Sequence, residues 1–144
     1  MRLIATLLYF ACLSAQAADI ELRDAWARAT PPGAKVGAAY LEVRNSGGQP
    51  DRLLSASTAA AKRVEMHVTQ RDGEVMKMRE VKALDIAARG TLKLAPGGAH
   101  LMLVELAQPL KEGERLRLRL RFERAGEIET ELQVRALGAR QHGH

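Results

Sequence analysis

The chain of 144 residues has a single cysteine, Cys12, which lies in an apolar stretch near the N-terminus. A mature protein that has lost this stretch has no disulfide and no thiolate, either as a nucleophile or as a metal ligand. A blue-copper electron carrier needs a cysteine thiolate at its metal, and a thiol oxidoreductase needs one for exchange. The cysteine content of the mature chain therefore argues against both classes.

Aromatic residues are also scarce, at 3% of the chain. Beyond the N-terminal stretch they are Trp26, Tyr40 and Phe122, so a core has to be built from Leu, Val, Ala and Ile. We expect Trp26 and Tyr40 to be packing residues. Nucleic-acid binding combines positive charge with several aromatic stacking platforms. The one dense basic run, 115–124, has a single aromatic residue, and we interpret it as a strand with a solvated arginine face.

The N-terminal apolar run, residues 3–13, has 11 residues, whereas a membrane-spanning helix needs about 20. The run follows a positive start and precedes Ala15-Gln16-Ala17, whose small residues suit a signal peptidase. We therefore predict a cleaved secretory signal at residues 1–17. We also expect one β domain at residues 18–137 and a flexible tail at residues 138–144.

A lipoprotein signal is the alternative interpretation of the same segment. Cys12 would then carry the lipid and become the first residue of the mature chain. The preceding residues, Tyr9-Phe10-Ala11, match the usual pattern of leucine and small residues poorly. We therefore favour cleavage before Ala18.

Short alternating segments separated by turn residues recur along the chain, and no stretch of about 12 residues has a clean helical period. This pattern is typical of an antiparallel sandwich or barrel of eight or nine strands. Residues 57–62 are the one candidate for a helical turn. The predicted strands are 20–28, 36–45, 52–57, 63–70, 75–81, 91–95, 100–106, 115–123 and 128–136. Two hairpins are expected, around Asp72-Gly73 and around Pro96-Gly97-Gly98.

The histidines and methionines of the mature chain are clustered. Apart from two histidines in the tail, they all lie between residues 66 and 102. These two residue types are the soft and borderline metal ligands that remain when cysteine is absent. A single methionine in a strand is usually core filler, but the clustering favours a metal site.

Strand geometry decides which of these side chains can meet, because alternate residues of a strand share a face. His100 and Met102 share one face of their strand, and Met78 lies across the first hairpin from His67. Bringing the two hairpins together would place a nitrogen and a sulfur from each around one point.

The strand 63–70 has an apolar face formed by Val64, Met66 and Val68. Met66 is therefore expected in the core. His67 then lies on the polar face, which places a metal site at the rim of the barrel rather than in its interior.

The spacing of four residues has a known counterpart. His67 is followed by ten residues, Met78, twenty-one residues, His100, one residue and Met102. This resembles the H-x10-M-x21-H-x-M pattern of the periplasmic copper chaperone family PCu(A)C. The stretches 25–45, 51–57, 64–67, 73–81 and 94–106 also agree, so the resemblance covers most of the mature chain.

The resemblance implies an all-β, cupredoxin-like Greek-key antiparallel barrel or sandwich in the periplasm. It implies that His67, Met78, His100 and Met102 bind one Cu(I). It further implies copper delivery towards the CuA site of cytochrome c oxidase, with a CuA domain or another copper chaperone as the acceptor. Met66 and Met76 do not occupy ligand positions in the pattern.

Two other functions stay open on the sequence alone: a periplasmic copper buffer for tolerance, and a secreted β-sandwich interaction module without metal. We expect no enzymatic activity, because neither His67 nor His100 lies in a sequence context that indicates a catalytic triad. We also expect a monomer with no membrane span and no nucleic-acid partner. The tail histidines His142 and His144 are a candidate second site, for Cu(II).

Overall fold

A computed structural model describes residues 19–138 of the chain. This part contains ten strands and no helix, and therefore no helix that is long and apolar enough to cross a membrane. The strands are β1 (Ile20–Arg28), β2 (Val36–Asn45), β3 (Asp51–Ser57), β4 (Ala61–Asp72), β5 (Val75–Val81), β6 (Leu84–Ile86), β7 (Thr91–Leu94), β8 (His100–Leu106), β9 (Arg115–Phe122) and β10 (Gly126–Arg135). The predicted signal, with Cys12, and the tail histidines His142 and His144 lie outside the described residues.

The all-β class predicted from the sequence is confirmed. The nine predicted strands correspond to β1–β5 and β7–β10, with bounds that agree to within two residues. The additional strand β6 has only three residues, too few for its alternation to stand out in the sequence. The candidate helical turn at residues 57–62 does not form. The chain there forms a β-turn in which the Ala61 N–H donates to the Thr58 carbonyl at 3.4 Å.

The strands are hydrogen-bonded in the order β5-β4-β8-β2-β1-β10-β9-β3-β6, and β7 pairs with β2. One pair, β1 with β10, is parallel, and at this point the sheet departs from the predicted antiparallel arrangement. β1 lies between β2, which runs antiparallel to it, and the C-terminal strand β10, which runs in the same direction. This long-range pairing joins the first strand of the described chain to the last.

A single hydrophobic core lies on one face of the sheet, and every strand except β5 contributes buried side chains to it, while Val81 of β5 packs against it partly buried. In β9, Leu118, Leu120 and Phe122 are buried while the residues between them are exposed. Each fully buried leucine contributes about 1.5–3 kcal/mol to stability. Phe122 is the one aromatic member of this core, in agreement with the composition.

The arginines of β9 face solvent, as predicted, and three of them pair with glutamates on β10. Arg119 Nη2 donates to Glu129 Oε1 at 2.9 Å, and Arg117 Nη1 donates to Glu129 Oε2 at 3.2 Å. Arg115 Nη1 lies 3.4 Å from Glu131 Oε1. This run is therefore a ladder of surface ion pairs rather than a free basic patch.

β7 and β8 do not form the hairpin that the sequence predicts. Both strands pair antiparallel with β2, with Leu94 opposite Leu41 and Leu101 opposite Ala39. They therefore run in the same direction along one neighbour. The residues between them, 95–99, form a short excursion from the sheet, and this excursion borders the candidate site.

A β-bulge in β1 determines which face carries Trp26. The register against β2 shifts just before Trp26, and Asp24 has a φ of 50° at this point. Because side chains alternate along a strand, one extra residue moves those that follow to the opposite face. Leu22 and Ala27 thus both contact the core. Trp26 instead packs against Tyr40 on the other side of the sheet, with 4.7 Å between the ring centroids.

Candidate metal site

Three adjacent strands bring the four predicted ligands onto one face of the sheet, the face opposite the core. His67 on β4 lies directly opposite His100 on β8, and Met102 lies two residues further along β8. Met78 on β5 lies opposite Thr69, two residues along β4 from His67. Diagonal neighbours of this kind are about 7–8 Å apart, within reach of long side chains. The register thus places two imidazoles and two thioethers together.

The two imidazoles are neighbours in space. Their ring centroids are 5.6 Å apart and their planes differ by 26°. The His67 side chain is 14% exposed, and both of its ring nitrogens are buried with no hydrogen-bond partner among the described residues. Buried polar atoms normally have a partner. An imidazole left in this way has a free nitrogen lone pair that suits a metal ion.

His100 is held in one orientation by the backbone. Its Nδ1 lies 3.1 Å from the Gly98 carbonyl oxygen. A carbonyl only accepts hydrogen bonds, so Nδ1 carries the proton and Nε2 has the free lone pair when the ring is neutral. A backbone acceptor on the second ring nitrogen is the usual support of a metal-binding histidine.

The position of this carbonyl follows from the sequence Ala95-Pro96-Gly97-Gly98. The Gly98 N–H donates to the Ala95 carbonyl at 3.0 Å, and Gly97 has a φ of 82°. Proline in the second position and glycine with positive φ in the third are the residues that a type II turn requires. The turn is therefore encoded locally, although the sequence does not reveal that it joins two strands of the same direction.

Met78 and Met102 line a single surface pocket with His100. The pocket has a volume of about 440 Å³, and its wall also includes Tyr40 and Arg28. Met102 is half-buried, whereas Met78 on the edge strand β5 is 59% exposed. The thioether of Met78 is therefore the most accessible of the four predicted ligands.

The two other methionines lie where the sequence places them. Met66 is 5% exposed and belongs to the core, as predicted. Met76 is as exposed as Met78. It lies opposite Arg71, whereas Met78 lies opposite Thr69, so Met76 is two residues further from His67 along the hairpin. Met76 is accordingly a matched neighbour of Met78 that the pocket does not include.

Three residues that lie near the site were not predicted from the sequence to be there. Glu65 lies opposite Met102, and its Oε2 is 3.9 Å from His67 Nε2. This position could have been found, because Glu65 shares the polar face of its strand with His67. Arg28 and Tyr40 come from β1 and β2, and their approach to the pocket depends on the bulge and on long-range pairing. No local signal reveals it.

Tyr40 separates the His/Met pocket from the indole of Trp26. Its ring centroid is 6.4 Å from that of His100 and 4.7 Å from that of Trp26. Burial raises the pKa of the Tyr40 hydroxyl above its ordinary value of 10.0, so the phenol is neutral at physiological pH. Trp26 and Tyr40 are 0% and 5% exposed, which confirms that both are packing residues.

The donor set decides which metals the site can hold. Residues 19–138 contain no group of three or more His, Cys, Asp or Glu side chains placed to bind a metal ion. Such a group is what zinc and calcium sites usually provide. Two neutral imidazoles and two neutral thioethers instead form a soft set that favours Cu(I).

The fold is that of a cupredoxin-like β domain. A family model described as "LpqE-like: Putative lipoprotein LpqE-like" matches residues 20–134, and the chain therefore belongs to that family. A curated relative, "Putative lipoprotein Lxx21020" of Leifsonia xyli subsp. xyli (strain CTCB07), is 35% identical over 108 residues. The match covers 74% of this chain and 64% of that relative, so the chain spans less than two thirds of the relative's length.

Solved structures share the fold. The copper-bound PCuAC domain from PmoF2 is 28% identical, with a TM-score of 0.71 over 82% of this chain and 93% of that domain. The solution structure of CuI-DR1885 from Deinococcus radiodurans is 31% identical, with a TM-score of 0.70 over 90% of this chain and 87% of that one. The chain is thus similar in sequence and fold to PCuAC domains, and the predicted cupredoxin-like fold is confirmed.

Proposed function

We propose that the mature protein is a periplasmic copper chaperone that binds one Cu(I) through His67, Met78, His100 and Met102. The observation that carries the proposal is the pair of facing imidazoles on β4 and β8, with two thioethers on the same face. Supporting it, two similar solved domains are described as copper-bound and as a CuI form. The role is binding and transfer rather than catalysis.

The chemistry of the donors suits an exported carrier. Thioethers form no disulfides, so the site needs no reductant in an oxidising compartment. Imidazole and thioether ligands are neutral and bind copper less strongly than thiolates would, which helps a carrier release its ion. Met78 lies exposed on an edge strand, so an incoming ligand can replace its sulfur first.

The direct test is a Cu(I) titration of the protein in competition with a chromogenic chelator. We expect one tightly bound ion in the wild type. Met78→Ala and Met102→Ala should each lower the affinity by more than about tenfold. A tenfold loss is the lower limit expected when a residue that only supports a metal ligand is removed, and loss of a ligand itself should cost more. Met76→Ala is the matched control on the same strand and should bind as the wild type does. Wild-type affinity in both Met78→Ala and Met102→Ala would overturn the assignment.

The acceptor we propose is the CuA site of cytochrome c oxidase, reached directly or through another copper chaperone. Mixing the Cu(I)-loaded protein with an apo CuA domain should produce the optical spectrum of the mixed-valence centre after oxidation. Retained copper with no transfer would favour a buffer that protects against excess copper. A protein isolated without metal from copper-supplemented cells, with no Cu(I) binding in vitro, would instead favour a metal-free interaction module.

A further inference from the structure

Two arginines lie side by side in the wall next to the His/Met pocket. Arg28 on β1 is directly opposite Arg135 on the parallel strand β10. Arg135 Nη2 contacts Asp24 Oδ1 at 2.9 Å. Among residues 19–138 no carboxylate lies within 4 Å of Arg28. Of the two guanidinium groups only that of Arg135 has a carboxylate partner, so this half-buried region has an excess of positive charge.

Hydrogen-bond donors are also in excess here. Arg28 Nε, Arg135 Nη1 and Trp26 Nε1 are all buried, and none has an acceptor among the described residues. All three groups can only donate. Buried polar groups in folded proteins nearly always have a partner, and an exception calls for a bound ion, a water molecule or a ligand. These donors need an acceptor, and the charge of the two guanidinium groups favours one that is negative.

Arg28 is held in place by the aromatic pair. Its guanidinium carbon lies 5.6 Å from the centroid of the Tyr40 ring and 5.9 Å from that of Trp26. Stacking on aromatic faces is a favourable arrangement for arginine and leaves its in-plane N–H groups for a ligand. Arg28 also lines the pocket that contains Met78, His100 and Met102.

We infer that Arg28, backed by Arg135, is a carboxylate-binding site in the wall of the copper pocket. The planar guanidinium fork matches the two oxygens of a carboxylate. A carboxylate there neutralises a positive charge that would otherwise lie close to a bound copper cation. The group belongs to an acidic side chain of the protein that exchanges copper with this chain, and this part of the inference rests on the proposed function.

The single tryptophan of the chain gives an unambiguous probe. In a two-dimensional NMR spectrum of the apo protein, Trp26 produces the one indole N–H signal. Titration with sodium acetate at constant ionic strength, balanced by sodium chloride, should move this signal along a saturable curve. An indole signal that does not move, or that moves equally with chloride alone, would overturn the inference.

Variants locate the effect. Arg28→Gln should weaken acetate binding by about tenfold or more, because a charge-assisted bidentate contact is lost. Arg117→Gln, on the ion-pair ladder of β9, is the matched control and should leave the acetate affinity within about twofold, since exposed charges act weakly at a distance. Arg28→Lys keeps the charge over the rings without the fork and protects the test against misfolding of the glutamine variant. Wild-type acetate affinity in the lysine variant would rule out recognition by the fork.

Two further arms identify the source of the carboxylate. A tripeptide with uncharged ends and one central glutamate should bind more tightly than acetate if the natural ligand is a protein side chain. The same peptide with glutamine in place of glutamate should not bind. Equal affinity for peptide and acetate assigns the site to a free small carboxylate and overturns the docking role. Acetate binding without Cu(I) binding would reject the proposed function alone. Cu(I) binding without acetate binding would reject the carboxylate site alone.

Discussion

The carbonyl of Gly98 lies 3.1 Å from Nδ1 of His100, so the excursion between β7 and β8 holds one of the proposed ligands. The same carbonyl accepts a weaker hydrogen bond from Thr69 Oγ1 at 3.4 Å, and Thr69 lies opposite Met78. One backbone oxygen thus connects the turn with two of the three strands that form the site. The shape of the turn should therefore affect copper affinity.

Gly97→Ala tests this connection. Gly97 has a φ of 82° and an added Cβ meets no atom within 4 Å, so the change strains the backbone without a clash. We expect a loss of about 1–2 kcal/mol of stability and a Cu(I) affinity about tenfold lower, as for other partners of metal-binding histidines. Chelator competition and urea unfolding measure the two effects.

Gly113→Ala is the matched control for this variant. Gly113 has a φ of 89°, and an added Cβ again meets nothing within 4 Å, but it does not line the pocket. The stability loss should be similar while Cu(I) affinity stays unchanged. If both variants lose affinity equally, the turn has no specific role in holding His100.

Asp51 should be important for stability and not for copper binding. Its Oδ1 accepts hydrogen bonds from the backbone N–H groups of Arg52 and Arg124, both at 2.8 Å, and its Oδ2 accepts one from Ala125 at 3.1 Å. Asp51→Asn turns one acceptor into a donor that faces a backbone N–H. We expect a loss of about 1–3 kcal/mol, measured by urea unfolding, with unchanged Cu(I) stoichiometry.

Asp85→Asn is the appropriate comparison for Asp51→Asn. The Asp85 side chain is 85% exposed and pairs with Arg52 on the surface. Exposed ion pairs contribute little, so the unfolding midpoint should hardly move. A loss in Asp85→Asn as large as that in Asp51→Asn would show that buried backbone contacts are not the cause.

The strands could be predicted from the sequence because their signal is local. In β9, leucine and arginine alternate and burial alternates with them. The hairpin of β4 and β5, which has a local turn at Asp72-Gly73, was also predicted correctly, but the predicted hairpin of β7 and β8 is wrong. The turn at Pro96-Gly97 has the same local geometry whether the chain reverses or continues, and only the pairing of β7 and β8 with β2 distinguishes the two outcomes.

The same distinction explains what could be predicted of the site. His67 and Met78 belong to one hairpin, and His100 and Met102 to one strand, so spacing indicated that they share a face. Arg28 lies in the pocket wall because the bulge in β1 sets the face on which its side chain lies, and because β1 pairs in parallel with β10. Neither leaves a periodic signal in the sequence, and the cationic wall of the pocket was therefore not predicted.

The pair of Arg119 and Glu129 should give a small, pH-dependent contribution to stability. The hydrogen bond from Arg119 lowers the pKa of the Glu129 carboxyl below its ordinary value of 4.5. Folding thus favours the ionised form, so the contribution is present above that value and is lost as the pH falls through the lower pKa of the folded state. Both groups are exposed, so the effect is small.

Glu129→Gln measures this contribution. The wild type should unfold at a slightly higher urea concentration than the variant at neutral pH, and the difference should shrink in acid and in high salt. A difference that grows as the pH falls would contradict the sign assigned to this pair.

The tail histidines are expected to bind Cu(II) independently of the pocket. His142 and His144 are one residue apart, and imidazole is a good ligand for Cu(II). Deletion of residues 139–144 should remove Cu(II) binding seen by electron paramagnetic resonance and leave Cu(I) binding unchanged. The double variant His142→Ala/His144→Ala should reproduce the deletion. An unchanged Cu(II) stoichiometry in either variant would dismiss the second site.

Export should remove residues 1–17, because the small residues of Ala15-Gln16-Ala17 follow a short apolar run. The protein recovered from a periplasmic extract should then begin at Ala18, as measured by intact mass and N-terminal sequencing. The family description names lipoproteins, and a lipoprotein would begin at an acylated Cys12 and stay with the membrane fraction. Cys12→Ser separates the two routes. If the signal is cleaved before Ala18, the variant still yields the form that begins at Ala18. If Cys12 is the processed residue, the variant loses both acylation and the mature form.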